Sequence, residues 1–258
     1  MVLLETIAIA FSMFSSLPVP QVAGNEKNMR YMLCAFPLVG VLCGVVFAGW
    51  CALCVRFDIP QLLRAAGMCV LPVMVNGGIH LDGYMDATDA LASNAAPARK
   101  QEILRDPHNG AFAVIRVCCY YICSYALCAV LFPSLETIAC VALSFVLSRV
   151  LSGFALTVLP LADETAFTHY FMDHADLKRV RTVLVLEAVL VSTGLLYFGG
   201  LTGVAVMTAA LLVFAHYAHV AVHAFPGTNG DLAGWFLVRA EVYMLAASVL
   251  VQLAKEWL

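Results

Sequence analysis

Long apolar runs restrict this chain of 258 residues to one class of fold. Six runs have the length, about 17–25 residues, at which a helix crosses the hydrocarbon core of a bilayer. They are residues 31–55, 111–132, 138–159, 182–198, 201–223 and 236–253. A large soluble helical domain would show amphipathic stripes, whereas these runs are apolar on every face. We therefore expect an all-α, polytopic integral membrane protein.

Two shorter apolar segments complete the expected topology. Residues 65–79 are interrupted by Pro72 and Gly77–Gly78, and residues 1–17 end at Pro18, which stops a helix. We expect about seven transmembrane helices, a short N-terminal membrane segment that either crosses or enters and returns, and a short helix with an acidic motif. Residues 1–258 are expected to form a single integral membrane domain.

Positive charges gather on one side of the threaded chain. Alternating the apolar runs across the bilayer places four polar regions on the same side: 21–30, 80–109, 160–181 and 225–234. This side carries Lys27, Arg30, Arg99, Lys100, Arg105, Lys178, Arg179 and Arg181. The other side carries Arg56, Arg64 and Lys255. By the positive-inside rule the polar regions face the cytoplasm, which predicts one cytoplasmic site built from several loops.

The stretch GGIHLDGYMDATDAL, residues 77–91, contains three aspartates within an otherwise apolar chain. Asp82, Asp86 and Asp89 are spaced i, i+4 and i+7, so a helix would present them within about 60° of arc. Carboxylates on one face repel one another unless a cation joins them, and oxygen ligands favour Mg²⁺ or Mn²⁺. The alternative is a solvated helix start with Asp82 as its N-cap, which leaves Asp89 unexplained.

Polar residues beside this motif extend the candidate site. His80, two residues before Asp82, could be a ligand, a general base or a hydrogen-bonding neighbour. Further along, Arg105 and His108 could bind phosphate and Asp106 could join a metal, while Gly110 permits close backbone approach.

Buried charges mark further positions. Arg116 and Arg149 lie inside apolar runs, where an arginine is costly unless it faces a polar cavity or a partner. Each could bind phosphate or pair with a buried acid. In the segment GTNGDLAG, Gly230 and Asp231 stand at a helix start, with Glu241 ten residues after Asp231. This arrangement suits either a second metal ligand or a phosphate site.

Three histidines share one face of the run 201–223: His216, His219 and His223. The spacing i, i+3 and i+7 is compatible with a transition-metal site, a proton relay or the polar lining of a cavity. We favour a polar stripe that lines the cavity leading to Asp231.

These segments resemble those of the cobalamin synthase (adenosylcobinamide-GDP ribazoletransferase) family. The stretch GGIHLDGYMDATDAL is similar to the family signature G-x-x-H-L-D-G-x-x-D-x-x-D-x-L, and SSLPVP resembles an N-terminal LPVP. ILRDPHNGAFAVI is similar to I-x-(K/R)-D-x-x-x-G-x-x-G-V, with Ala113 as the second glycine, and LSRVL places Arg149 on a family arginine. GTNGDLAG resembles G-x-T-G-D-x-x-G-A-x-x-E-x-x-E, with Trp235 replacing the alanine and Val238 the first glutamate.

The resemblance implies an enzyme that completes the lower loop of cobalamin in the bacterial cytoplasmic (inner) membrane. A ribose hydroxyl of α-ribazole, or of its 5′-phosphate, would attack the phosphorus attached to the cobinamide of adenosylcobinamide-GDP, and GMP would leave. Mg²⁺ is the implied cofactor. The two small-molecule substrates and the lipid bilayer are the expected partners; a homo-oligomer is compatible with the sequence and no nucleic acid is expected.

The same resemblance assigns roles to the candidate residues. Asp82, Asp86 and Asp89 would hold Mg²⁺, His80 or Asp106 would be the base, and Arg149 would stabilise phosphate charge. The expected substrate-binding or phosphate-binding positions are Arg105, Gly110, Arg116, His219, His223, Gly230, Asp231 and Glu241.

Other membrane proteins with buried acids are alternatives. A CDP-alcohol phosphotransferase usually carries a second acidic pair after a spacer containing Ala-Arg, which this chain lacks. A prenyltransferase needs a second Asp-rich motif, here Asp163 to Asp176, whose spacings do not suit it. A secondary transporter would spread its polar groups along midplane helices, whereas most of them here lie in loops on one face.

Overall fold

The computed structural model describes residues 2–106, 108–162 and 172–256, and within these ranges regular structure is helical apart from one β-bridge between Leu161 and Thr228. The helices are α1 Val2–Phe14, α2 Glu26–Met29, α3 Met32–Arg56, α4 Gln61–Val75, α5 Ile79–Ala92, α6 Pro97–Leu104, α7 Ala111–Val130, α8 Leu135–Val158, α9 Leu177–Gly199, α10 Leu201–His223 and α11 Gly230–Glu256. The expected all-α fold is confirmed.

Among the described residues, six helices are long and apolar enough to cross a membrane: α3, α7, α8, α9, α10 and α11. Their mean hydropathy runs from 1.6 to 2.5, and each overlaps one of the six apolar runs. The pair α4 and α5 makes a seventh span if it is counted as one broken helix, bent by 91°. With 13 residues, α1 is shorter than a span. The expected multi-pass membrane protein is confirmed.

Helix α8 forms the centre of the bundle and packs against α3, α9, α10 and α11. Its apolar stretch is 61% buried, against 17% for that of α7, so α7 lies at the periphery. Small residues let α3 approach α8 closely: a Cβ on Gly44 would lie 2.9 Å from the carbonyl oxygen of Ala142. Such contacts are typical of helix packing in membranes.

Two glycines produce the bend between α4 and α5. Gly77 and Gly78 adopt left-handed backbone conformations, with φ of 63° and 79°, which other residues rarely adopt. The segment after α1 docks at this bend, because the hydroxyl of Ser16 donates to the carbonyl of Met74 at 2.5 Å and its backbone N–H to that of Val75 at 2.8 Å. The SSLPVP segment therefore helps to set the direction of α5.

Candidate active site

Helix α5 presents three acids on one face, as the spacing predicts. Asp82 is exposed, whereas Asp86 and Asp89 are half-buried. The N-cap of α5 is Gly78, which offers no side-chain hydrogen bond. Asp82 lies one turn further along, so the alternative in which Asp82 caps the helix is wrong.

Helix α11 adds a fourth acid, Asp231. The helix starts at Gly230 because the side chain of Asn229 accepts the backbone N–H of Leu232 at 2.9 Å. The Asp231 carboxylate lies close enough to Asp82 and Asp86 to interact electrostatically with both. We call Asp82, Asp86, Asp89 and Asp231 the acidic cluster. Since Asn229 already occupies the helix start, this placement favours the ligand role of Asp231 over a phosphate site at Gly230.

Two glycines lock α5 against α11. A Cβ on Gly83 would lie 2.8 Å from the Cα of Asp231, and a Cβ on Gly234 would lie 3.0 Å from the carbonyl oxygen of His80. Both distances are shorter than ordinary van der Waals contact. The segments GGIHLDGYMDATDAL and GTNGDLAG therefore meet backbone to backbone, and this contact brings Asp231 to the acids of α5.

Asp89 connects the acidic cluster to the loop before α7. Its carboxylate accepts the backbone N–H groups of Gly110, at 2.5 Å, and Ala113, at 2.9 Å. The first N–H groups of a helix lack partners within the helix and favour an anion, so Asp89 caps α7 from another element. A Cβ on Gly110 would lie 2.8 Å from the carboxylate oxygen Oδ1 of Asp89, which confirms that this glycine permits close approach.

The loop after α6 carries Arg105 and Asp106. Both are exposed, and Arg105 is the C-cap of α6. Asp106 accepts the backbone N–H of His108 at 3.0 Å and lies 2.8 Å from its ring nitrogen Nδ1. These hydrogen bonds, the backbone bond first, lower the pKa of Asp106 below its usual range, which makes it a weaker proton acceptor.

His80 does not lie beside the acids. Residues i and i+2 of a helix point in different directions, and the ring of His80 packs between Phe14 and Phe36, at centroid distances of 6.2 and 5.7 Å. It is buried, and its Nε2 has no hydrogen-bond partner within the described ranges. The expectation that nearness in sequence to Asp82 places His80 in the same site is wrong, because α5 turns it to the other face. Its role as a base remains a prediction.

Arg149 pairs with Glu241. The guanidinium is fully buried and its Nη1 contacts Glu241 Oε1, the Phe145 carbonyl at 2.8 Å and the Ser148 hydroxyl at 3.0 Å. Of the two alternatives for this arginine, pairing with a buried acid is the one observed. The two residues expected to act on phosphate therefore contact each other.

A small cavity of about 50 Å³ is lined by both His80 and Glu241. The Ser124 hydroxyl in its lining also lacks a hydrogen-bond partner in the part of the chain that the structure describes. Because a water needs about 10–15 Å³ and two or more polar partners, the cavity has the volume and the polar groups to hold water.

A larger cavity of about 680 Å³ lies between α5, α7, α10 and α11. We call it the arginine cavity, from Arg116 and Arg239 in its lining; the aromatic and histidine side chains that line it include Tyr84, Tyr120, His216, Trp235 and Tyr243. Arg239 was missed in the sequence. It lies inside the last apolar run, so the criterion that marked Arg116 and Arg149 applies to it equally.

The three histidines of α10 do not all line the same cavity. All three histidines are exposed, but only His216 lines the arginine cavity. His219 and His223 stack on each other at a centroid distance of 4.1 Å. Asp231 does not line this cavity either. The expected stripe leading to Asp231 is therefore not formed there, because the later two histidines lie one and two turns further along α10 than the part that lines the cavity.

The acidic cluster fits a hard cation that keeps most of its own water. Among the residues that the structure describes, Asp82 and Asp86 have no hydrogen bond or ion pair. No three Asp, Glu, His or Cys side chains in the same ranges are already grouped to coordinate one ion. Mg²⁺ typically binds one or two carboxylates, waters and substrate phosphate, which matches unpaired acids that do not form a closed cage.

Part of the polar region 160–181 falls outside the described residues. Asp163, the start of the motif considered for a prenyltransferase, lies there, whereas Asp176 is described and caps α9 through the backbone N–H of Arg179 at 3.3 Å.

Comparisons with known proteins agree over nearly the whole chain. A sequence model of the cobalamin-5-phosphate synthase (CobS) family matches residues 6–249. The chain is 38% identical to an adenosylcobinamide-GDP ribazoletransferase of Lachnoclostridium phytofermentans, over 96% of this chain and 95% of that protein. It is 30% identical to a protein of the same name from Geobacillus kaustophilus, over 94% and 96%, and 27% identical to one from Clostridium botulinum (strain Alaska E43 / Type E3), over 96% and 98%. No solved structure matches significantly.

Proposed function

Because this chain belongs to the cobalamin-5-phosphate synthase family, we propose that it is a membrane-bound adenosylcobinamide-GDP ribazoletransferase. A ribose hydroxyl of α-ribazole, or of α-ribazole 5′-phosphate, attacks the phosphorus attached to the cobinamide. A phosphodiester forms, the bond from that phosphorus to the GMP oxygen breaks, and the hydroxyl proton passes to a base. The products are adenosylcobalamin, or its 5′-phosphate, and GMP.

The observation that supports this reaction is the acidic cluster. Asp82, Asp86 and Asp231 converge from two helices and have no cationic partner among the described residues. Such acids repel one another unless a cation joins them. Bound there, Mg²⁺ would offset the negative charge of the diphosphate oxygens in the transition state.

The loop between α6 and α7 supplies the other groups. Asp89 holds this loop through Gly110, and we propose that Arg105 contacts a substrate phosphate there. Of the two candidate bases, Asp106 is on this loop, although its hydrogen bonds weaken it, whereas His80 lies on the opposite face of α5. We therefore prefer Asp106.

We propose that the enzyme lies in the bacterial cytoplasmic membrane with the acidic cluster toward the cytoplasm. The excess of Lys and Arg in the polar regions supports this orientation.

The proposal is tested with purified protein in lipid nanodiscs, adenosylcobinamide-GDP and α-ribazole. We expect GMP and the cobalamin product to appear in equal amounts with Mg²⁺, turnover to stop when a chelator removes the metal, and turnover to return when Mg²⁺ is added. Absence of GMP release with Mg²⁺ and both substrates would contradict the proposed function.

A matched substitution controls for the loss of a carboxylate. Asp58 lies in the turn between α3 and α4 with a left-handed φ of 48°, which asparagine also tolerates. We expect Asp58→Asn to keep turnover and Asp86→Asn to lose it. Equal turnover of the two variants would show that the acidic cluster is not the catalytic site.

A further inference from the structure

The arginine cavity lies on the other side of α5 from the acidic cluster and has the opposite charge. Each of Tyr84, Thr88 and Leu91 follows an acid by two residues, about 200° around the helix, and all three line the cavity. None of its described lining residues is acidic. We propose that this cavity binds an organic phosphate together with the aromatic ring of the same molecule. Resting on the proposed function, we assign this molecule as the 5′-phosphate of α-ribazole.

The two arginines of the cavity have no anionic partner among the described residues. Within the described part of the chain, Arg116 and Arg239 form no ion pair or hydrogen bond, and Nη1 of Arg239 is buried. Both guanidiniums act electrostatically on the Tyr84 hydroxyl, so they face the same space. An arginine in a membrane helix is costly unless a polar ligand or partner meets it, and the guanidinium fork fits two phosphate oxygens.

Aromatic side chains surround these cations. The guanidinium of Arg239 lies 4.3 Å from the ring centre of Trp235 and 5.8 Å from that of Tyr243. The ring of His216 lies 5.9 Å from that of Trp235. Stacking orients the guanidinium and leaves flat apolar surfaces in the lining, which suit a planar heteroaromatic ring. The volume, about 680 Å³, lies in the range of small-molecule sites.

The cavity and the acidic cluster meet at one end. Asp89 caps the first turn of α7, and Phe112 in that turn lines the cavity, as does Asn94 just beyond α5. A ligand with its ring and phosphate in the cavity can therefore extend past the end of α5 toward Asp89, which is where an acceptor hydroxyl is required.

Two residues of α11 shape the cavity directly. Trp235 supplies the ring over which the guanidinium of Arg239 lies. Val238 lines the cavity and adds no carboxylate that would neutralise the arginines. Both features favour an anionic aromatic ligand.

The test measures binding rather than turnover. Full-length protein in phosphatidylcholine nanodiscs is dialysed to equilibrium against α-ribazole 5′-phosphate or α-ribazole. We expect Arg239→Gln to weaken binding of the phosphate form about tenfold or more and to leave α-ribazole binding nearly unchanged. Trp235→Leu should weaken both forms. Arg56→Gln, at the exposed end of α3, is the matched control and should change neither.

Several outcomes would overturn the proposal. One is an Arg239→Gln variant that binds the phosphate form as tightly as the wild type. Another is loss of wild-type binding when phosphatidylglycerol is added, because the cavity would then hold a lipid headgroup. If Arg239→Gln fails to fold, Arg239→Lys and Arg116→Gln decide: we expect Lys to retain part of the preference for the phosphate form and Arg116→Gln to reduce it.

Failure of this proposal is distinguishable from failure of the proposed function. Unphosphorylated α-ribazole lacks the phosphate that the arginine cavity is proposed to bind. GMP release with this substrate therefore tests the enzyme activity independently of the cavity. If the wild type releases GMP but Arg239→Gln binds α-ribazole 5′-phosphate as tightly as the wild type does, only the cavity proposal is overturned. Arginine-dependent binding without any GMP release overturns only the proposed function.

Discussion

Asp89 differs from Asp82 and Asp86 in its surroundings, although the three share one face of α5. Its carboxylate accepts the two N–H groups that begin α7, whereas the other two have no partner among the described residues. Of these three aspartates, therefore, Asp89 alone also stabilises the start of another helix.

Substitution by asparagine separates the capping of α7 from catalysis. We expect Asp82→Asn and Asp86→Asn to reduce GMP release at least about 100-fold while thermal unfolding stays unchanged. Asp89→Asn should also reduce GMP release, and it should lower the free energy of unfolding by about 1–2 kcal/mol, because a neutral amide caps α7 less well. Near-normal activity in two of the three variants would refute the metal assignment.

The pair of Arg149 and Glu241 gives a second prediction. Glu241→Ala leaves a buried guanidinium without its partner, which we expect to cost about 3–5 kcal/mol of unfolding free energy. The double variant Arg149→Met/Glu241→Met should recover most of this loss, measured by thermal unfolding in detergent. If the double variant also recovers GMP release, Arg149 has no part in catalysis.

His80 shows that nearness in sequence is a poor guide to which side chains share a site. Nearness in sequence to Asp82 indicated a shared site, but on α5 a separation of two residues turns His80 toward Phe14 and Phe36. Asp82, Asp86 and Asp89 were predictable as a group because their spacing follows the helical period. Arg239 was predictable too, from its charge within an apolar run.

The contact between α5 and α11 depends on glycines that hydropathy does not register. A Cβ at Gly83 would meet the backbone of Asp231, and backbone yields less readily than a side chain. The spans were predictable from their apolar runs. The partner of α5 was not, because the pairing joins distant segments and rests on the absence of side chains. The start of α11 at Gly230, ahead of the apolar run, reflects capping by Asn229.

Alanine substitution tests this contact. We expect Gly83→Ala to lower the free energy of unfolding by about 1–3 kcal/mol and to reduce GMP release, because it moves Asp231 away from Asp82 and Asp86. Gly49→Ala is the matched control: Gly49 also lies within a helix, and among the described residues no atom beyond its chain neighbours and its own helix backbone lies within 4 Å of its would-be Cβ. This variant should be neutral or slightly more stable. Equal stabilities would contradict the proposed interlock.

The arrangement of the whole bundle predicts which ends face the cytoplasm. The ends opposite the acidic cluster are joined by Glu136 at the start of α8, which accepts from Lys255 of α11 at 2.5 Å and from Thr202 of α10 at 2.6 Å. We expect alkaline phosphatase, which is active only outside the cytoplasm, to be active when fused after Pro133 or Lys255. Fused after Ala175 it should be inactive. The reverse pattern would place the acidic cluster outside the cytoplasm.

The interlock of α5 and α11 also sets a time order for biosynthesis. The ribosome makes α5 early and α11 after every other helix described here, and membrane helices enter the bilayer as they are made. Until α11 arrives, Gly83 has no backbone to meet and the acids of α5 lack their fourth member. A nascent chain thus cannot present the complete set of acids, and we expect a chain that stops before α11 to yield no active enzyme, however well its other helices insert.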